Sequence, residues 1–390
     1  MKRMKIGLFT DAFFPMTDGV GMVVHNYAKN LNKFADVIVF CAKYKKKFDD
    51  SILPYKVVRC SSIKMPIIDY SLPMPDIDYS FIKELDKYEL DIVHIHSPFT
   101  LGKLGLKYAK KHHLPVVATM HSQYKQDFMR AVKFENMASV LTKVIVDVYD
   151  KCTECWAVNT EVARIYFEEY GVKKMPRVMY NATEMMPLED KEKAKKLINQ
   201  KCHLDDKTKV FLFVGRLNNL KNIFFIVDVM KLIKKNNKDL DFKMIYVGEG
   251  QDEKELNKRI SDNNLDEDII VYGKVDDREL LASFYCRADL FIFPSMYDAS
   301  SIVQIEAASQ ETPGIFASGS ATSATIADNV NGFIEELDSN KFMKRILNII
   351  SDEKKLKIVG KRAYKDLYVN WDNRIKEVYH RYQELVKNNK

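Results

Sequence analysis

DLFIFPSMYDASSIVQIEAA, Asp289–Ala308, is the stretch on which the fold turns. It opens with an unbroken apolar run, Leu290 to Phe293, which stops at Pro294. A short run without polar alternation reads as a strand buried on both faces, the signature of a parallel sheet covered by helices. The residues that follow, QIEAASQ, read as the next helix, with its start at Ser300 to Val303. Two acids sit in this unit: Asp298 just past the strand, and Glu306 eight positions later inside the helix.

The same strand-then-helix unit recurs outward in both directions. KIGLFT (Lys5–Thr10), ADVIVFCA (Ala35–Ala42), DIVHIH (Asp91–His96) and PVVATMH (Pro115–His121) occupy the first half. KVFLFVG (Lys209–Gly215), FKMIYVG (Phe242–Gly248) and DIIVYG (Asp268–Gly273) precede the opening stretch in the second. Two such series predict an α/β protein with two doubly wound parallel-sheet, Rossmann-like domains. The composition breaks at NATEMMPLEDKEKAKK, from Asn181, where a turn and a charged helix replace the apolar pattern. The expected domains are therefore 1–186 and 187–370. The final segment, 371–390, has helical spacing at Trp371, Ile375, Val378, Tyr382 and Leu385 and is expected to pack back on the first domain.

Bulk properties narrow the class. A chain of 390 residues with 46% hydrophobic content can bury two cores. No run approaches the roughly 18 apolar residues of a membrane span, and the N-terminus turns polar too soon for a signal peptide, so a cytoplasmic protein is expected. Six cysteines, scattered except for Cys152 and Cys155, give no disulfide framework. The charge is uneven: residues 1–186 carry 27 Lys and Arg against 21 Asp and Glu, +6 of the total +7. That excess can steer anionic partners. No basic run is interleaved with aromatics as a single-strand channel requires, so nucleic acid is not expected.

In open parallel sheets, ligands sit beyond the carboxyl ends of the strands. After the first strand, Asp18-Gly19-Val20-Gly21 opens a helix, and Gly19 lets backbone N–H groups approach an anion such as a diphosphate. The turn is not a dinucleotide fingerprint, because its third glycine is missing. His121 ends the fourth strand, where an imidazole can meet a substrate hydroxyl. His94 and His96 alternate along one strand toward the same face, with no third metal ligand in view. In the second half, Arg216 and Lys221 follow a strand, and together they can neutralise a diphosphate leaving group without a metal. Gly248 with Gly250, and Gly273 with Lys274, repeat the strand-end glycine design. A carboxylate at Glu306, near a helix start that includes Ser301 and Ile302, can accept two hydrogen bonds from a ribose.

The ordered set G-R-L-x(3)-K-N, V-G-E-G, Y-G-K-V and P-S-x-Y-[acid]-x(7)-E-A resembles the retaining GT-B glycosyltransferases of sequence family four, end to end from the TDAFFPMTDGVG loop. The resemblance implies two domains facing a cleft, with a nucleotide-diphosphate sugar, a UDP-sugar by preference, on the C-terminal side and the acceptor on the N-terminal side. It implies that Gly19, Arg216 and Lys221 approach the diphosphate, that Lys274 and Val275 lie near the base, and that Glu306 holds the ribose. By the same resemblance Gly248, Ser301 and Ile302 join the binding set, and His121 and Asp298 face the transferred sugar. It implies no cofactor and no metal, which leaves Asp76-Ile77-Asp78 and Asp239-Leu240-Asp241 as surface charge.

Two features depart from or qualify the pattern. The family's first acid is usually Glu followed by Gly-Phe-Gly, whereas Asp298 is followed by Ala299-Ser300-Ser301-Ile302. HSPFTLGKLGLKYAKKHHLPVVATMHSQY is similar to transferases acting on diacylglycerol lipids. Leu101, Leu104 and Leu106 with Lys103, Lys107, Lys110 and Lys111 are either a basic amphipathic face for an anionic membrane or an ordinary helix with its apolar side in the core. Phe128, Met129, Val132 and Phe134 are either an acceptor-side wall or packing. The expected activity is hexosyl transfer to a membrane lipid or lipid-linked glycan, at the inner face of a membrane. The alternatives are a non-catalytic partner subunit of the same fold and a nucleotide-sugar epimerase.

Overall fold

A computed structural model describes residues 3–16, 19–64 and 71–389. The chain forms two compact units: Met1–Asn181 together with Trp371–Lys390, and Ala182–Asn370. All eight of the apolar runs quoted above are strands; seven lie between two neighbouring strands, and Ile269–Gly273 is at a sheet edge.

The first unit contains β1 (Lys5–Phe9), β2 (Asp36–Ala42), β3 (Lys56–Cys60), β4 (Ser62–Lys64), β5 (Ser71–Pro73), β6 (Ile92–Ile95), β7 (Val116–Met120), β8 (Glu154–Ala157) and β9 (Arg177–Val178). Seven of these make one parallel sheet in the order β3-β2-β1-β6-β7-β8-β9. The order reverses at β1 and β6, which is where a doubly wound sheet opens a ligand crevice. Beside it, β4 and β5 form a small antiparallel ladder. Right-handed crossovers from β6 to β7 to β8 place the helices Thr100–His112 and Glu135–Asp150 side by side on one face of the sheet. The helix Gly19–Leu31 runs in the opposite crossover direction and packs against Trp371–Asn388. Trp371, Ile375, Val378, Tyr382 and Leu385 are all buried there, and Asp372 receives Lys33 at 2.6 Å.

The second unit holds β10 (Lys209–Val214), β11 (Phe242–Val247), β12 (Ile269–Gly273), β13 (Leu290–Phe293), β14 (Gly314–Ala317) and β15 (Phe333–Glu335), all parallel, in the order β12-β11-β10-β13-β14-β15. Its switch point lies between β10 and β13. Phe211, Phe213, Phe291 and Phe293 sit on these central strands without solvent exposure; Phe213 and Phe293 stack at 5.9 Å across the pair. That rigid centre fixes the two loops that leave it.

Candidate active site

Because β10 pairs with both β11 and β13, the loops after all three emerge side by side. After β10 the chain runs Gly215-Arg216-Leu217-Asn218 into the single turn Asn219–Lys221. Two backbone bonds stitch this loop to the one after β11, Leu217 N–H to Glu249 O at 2.9 Å and Asp252 N–H to Leu217 O at 3.2 Å. The contact is so close that a Cβ on Gly248 would lie 1.9 Å from Gly215 O, so only glycine fits.

Lys221 turns toward the loop after β13. Its Nζ donates to Asp298 Oδ1 at 2.7 Å and Oδ2 at 2.8 Å, and lies 5.1 Å from the centre of the Phe293 ring. Ser295 Oγ donates to the same carboxylate at 2.6 Å, and Asn222 Nδ2 ties the two loops at Pro294 O, 2.7 Å. The lysine and aspartate side chains are 16% and 19% exposed, enough for a ligand to reach and little enough that the pair is poorly screened. Arg216, on the same loop as Lys221, is exposed. Lys274 is exposed as well, paired with Asp276 at 2.9 Å, while Val275 packs on the core.

Ser301 occupies the N-cap position of the helix Ile302–Ser309 without a side-chain capping bond, and Glu306 lies inside the helix, 4% exposed. A buried carboxylate requires partners, and this one has three. Arg278 Nη2 donates to Oε1 at 2.5 Å, Tyr285 hydroxyl to Oε2 at 3.1 Å, and Thr183 Oγ1 approaches Oε1 at 3.5 Å. The sequence reading missed all three. Arg278 lies three residues after the quoted Y-G-K-V run, but nothing in spacing alone aims it at Glu306. The structure thus joins Lys221 to Asp298 directly and holds Glu306 by a separate set of groups.

In the first unit, His121 follows β7 and its Nε2 lies 3.0 Å from His96 Nδ1. His94 spends both ring nitrogens, one on Tyr382 and the other on Thr119 Oγ1 at 2.7 Å. It is a packed core histidine with no lone pair left for a metal. Burial pushes His121 down to about 3 and lowers His94 and His96 well below their ordinary value, so all three rings are neutral near pH 7. Gly19 begins its helix with open space at its Cα; Asp18 lies outside the described residues. Asp11, unmarked in the sequence reading, accepts Leu101 N–H at 3.1 Å, while its Oδ2 is buried without a partner among the described residues. Burial pushes this carboxyl up to about 7.

The helix Thr100–His112 settles one open question. Leu101 and Leu104 are buried in the core and Leu106 is half-buried, so the apolar side of this helix faces inward and only its lysines face out. Of the two acidic triplets, Asp78 caps the helix Tyr79–Leu85 through Phe81 N–H at 3.0 Å, and Asp241 accepts Thr208 Oγ1 at 2.5 Å. All six cysteines are free thiols, with Cys152 buried and Cys155 half-buried.

Comparison with known proteins places this geometry. Residues 17–185 match the model of Glycosyltransferase Family 4, and residues 194–366 match that of Glycosyl transferases group 1. Alpha-monoglucosyldiacylglycerol synthase of Acholeplasma laidlawii is 26% identical over 99% of this chain and 99% of its own length. The Streptococcus pneumoniae protein of that name is 25% identical over 84% of this chain and 74% of its own length. Among solved structures, Anabaena Alr3699/HepE in complex with UDP and glucose superposes with a TM-score of 0.75 at 15% identity, over 97% of this chain and 99% of that one.

Proposed function

The chain belongs to the GT-B glycosyltransferases of family 4, and from that premise we propose that it transfers a hexosyl group from a UDP-sugar to a membrane lipid or lipid-linked glycan, with retention of configuration and without a metal. The observation that carries the reading is the Lys221–Asp298 pair at the switch point of the C-terminal sheet.

Lys221 and the exposed Arg216 neutralise the diphosphate as the bond to the sugar breaks. The backbone contact at Gly215 and Gly248 leaves no side chain between the loops and the phosphates. Glu306, held by Arg278 and Tyr285, presents a fixed carboxyl group to the ribose hydroxyls. Asp298 faces the transferred sugar. On the N-terminal side, Gly19 approaches the diphosphate at a helix start, and the half-buried His121, kept neutral by desolvation, exchanges hydrogen bonds with a sugar hydroxyl rather than adding charge. Lys274 and Val275 lie toward the base, and Ser301 and Ile302 line the helix start near it. The leaving diphosphate takes the acceptor's proton as the new glycosidic bond forms on the face from which it departs.

The lipid acceptor is supported by the two relatives named alpha-monoglucosyldiacylglycerol synthase, and UDP by the ligand of the superposed structure. Among the described residues no helix is long and apolar enough to cross a membrane, which suits a peripheral enzyme working at the inner face. The test is radiolabelled transfer to diacylglycerol from UDP-, GDP- and ADP-hexoses, with Lys221→Ala and Glu306→Ala alongside. The reading requires a loss of at least about a hundredfold in Lys221→Ala, as for removal of a transition-state donor, and weakened donor binding in Glu306→Ala. Unchanged rates in both would sink it.

A further inference from the structure

We propose that His96 is a positioning residue: it fixes the tautomer of His121, so that His121 meets its ligand as a hydrogen-bond donor through Nδ1–H and not as an acceptor. The inference deepens the reading of His121 as a sugar contact and rests on it for its purpose, though not for its first test. It commits the ligand atom to an acceptor, a hydroxyl or phosphate oxygen of the sugar nucleotide.

The two imidazoles stand on neighbouring strands. β6 and β7 pair in parallel, and alternation along each strand puts His94, His96, Thr119 and His121 on one face. There His94 meets Thr119 and His96 meets His121, as two rungs of one ladder. His96 has no room to move. It is fully buried, its backbone N–H donates to Phe9 O at 2.8 Å, and its ring centre lies 4.0 Å from that of His94 and 5.2 Å from that of Tyr27. His121 beside it is half-buried.

The tautomers follow from accounting for the four ring nitrogens. Desolvation keeps both rings neutral near pH 7, so each carries one N–H and one bare nitrogen. Between His96 Nδ1 and His121 Nε2, 3.0 Å apart, one donates and the other accepts. His96 Nε2 is buried with no partner among the described residues. A buried N–H without an acceptor is rarer and costlier than an acceptor left without a donor, so Nε2 is the bare nitrogen and the proton of His96 sits on Nδ1. His96 therefore donates to His121 Nε2, which leaves the proton of His121 on its own Nδ1. That atom makes no hydrogen bond to the described residues and, unlike His96 Nε2, is not enclosed. It is the nitrogen left to serve a ligand. The opposite assignment would bury an unpaired N–H in His96 and turn a bare nitrogen of His121 outward.

Nuclear magnetic resonance of the full chain with ring-15N histidine reads the tautomer directly, with His96→Asn and His121→Asn assigning the signals. Near pH 7.5, His121 is expected to be protonated at Nδ1 and bare at Nε2; the reverse tautomer overturns the proposal. Transfer kinetics supply the second arm. His96→Asn keeps an N–H at the Nδ1 position and should hold kcat/KM within about twofold, whereas His96→Leu removes it and should lower kcat/KM about fivefold or more, the worth of one hydrogen bond. His96→Asp puts an acceptor there instead. His121 then gives its Nε2 proton to the carboxylate and offers Nδ1–H only while doubly protonated, so the rate relative to the parent chain should fall as pH rises from about 6 to 9. Equal losses in the Asn and Leu variants at unchanged melting temperature overturn the proposal, and so does a folded Asp variant with the parent's pH profile. If His96→Asp does not fold, the labelled parent chain and the comparison of Asn with Leu decide. A chain with the expected tautomer that transfers no sugar would sink the functional reading and leave the histidine pair standing.

Discussion

Replacing Asp298 by Asn probes the donor site through its electrostatics. Lys221 is held by both oxygens of Asp298, at 2.7 and 2.8 Å, with both side chains largely buried. A diphosphate that binds Lys221 has to share it with that carboxylate and lie close to a like charge. Two unit charges about 4 Å apart interact by roughly 4 kcal/mol at an effective dielectric near 20. Remaining solvent contact and the gain of a new phosphate–lysine bond offset more than half of that, leaving a penalty of about 1–2 kcal/mol. Asn keeps the shape and an acceptor for Ser295 but removes the charge. Titration calorimetry should therefore show UDP binding about five- to thirty-fold more tightly to Asp298→Asn, with the gain shrinking at high salt. Transfer should slow in the same variant, because the group facing the sugar has changed. In Lys221→Ala, UDP binding should weaken, and adding Asp298→Asn to it should restore far less than it gains alone. UDP binding that is unchanged by Asp298→Asn and by Lys221→Ala would refute the assignment of Lys221 to the diphosphate.

Three further outcomes follow from the same geometry. Arg278→Met strips Glu306 of its shortest partner, and Tyr285→Phe removes a hydrogen bond to a carboxylate, worth about 1.5–3 kcal/mol; both should raise the donor KM, Arg278→Met by roughly tenfold or more, with a smaller effect on kcat, and an unchanged KM would dissociate Glu306 from donor binding. Gly248→Ala drives a Cβ to 1.9 Å from Gly215 O at a φ of +146°, so thermal unfolding should show a loss of at least about 2 kcal/mol. Stability should fall on acidification: His121, pushed down to about 3, refuses a proton that the unfolded chain binds from its ordinary value near 6.5, so stability present above pH 6.5 is lost progressively toward pH 3. Urea midpoints at pH 8, 6 and 5 that do not change would contradict the buried, neutral histidines.

The parallel sheets were legible because their central strands are short, fully apolar runs, and burial on both faces leaves no other reading. The strands that went unread are those with weaker signals. Gly314–Ala317 is four residues long, Arg177–Val178 is two, and Lys56–Cys60 is broken by two cations in five residues. Residues at strand ends were legible too, since topology alone sends Lys221, Asp298 and His121 to the carboxyl edge. Their partners were not. Arg278 reaches Glu306 across 28 positions and Thr183 across 123, distances over which spacing carries no directional information. Asp11 gave no signal at all, because an acid after a strand looks the same whether its oxygen ends in solvent or under a helix start.

The two helices on one face of the first sheet show where periodicity stops being informative. Leu101 and Leu104 recur at helical spacing and are buried; Met137, Val140 and Val144 do so as well and are exposed. The pattern tells which side chains share a side of a helix, and burial is then decided by which side faces the sheet. For Thr100–His112 one apolar side exists and the sheet takes it, leaving lysines outward. Glu135–Asp150 carries two, the sheet can cover only one, and the uncovered one faces solvent among cations.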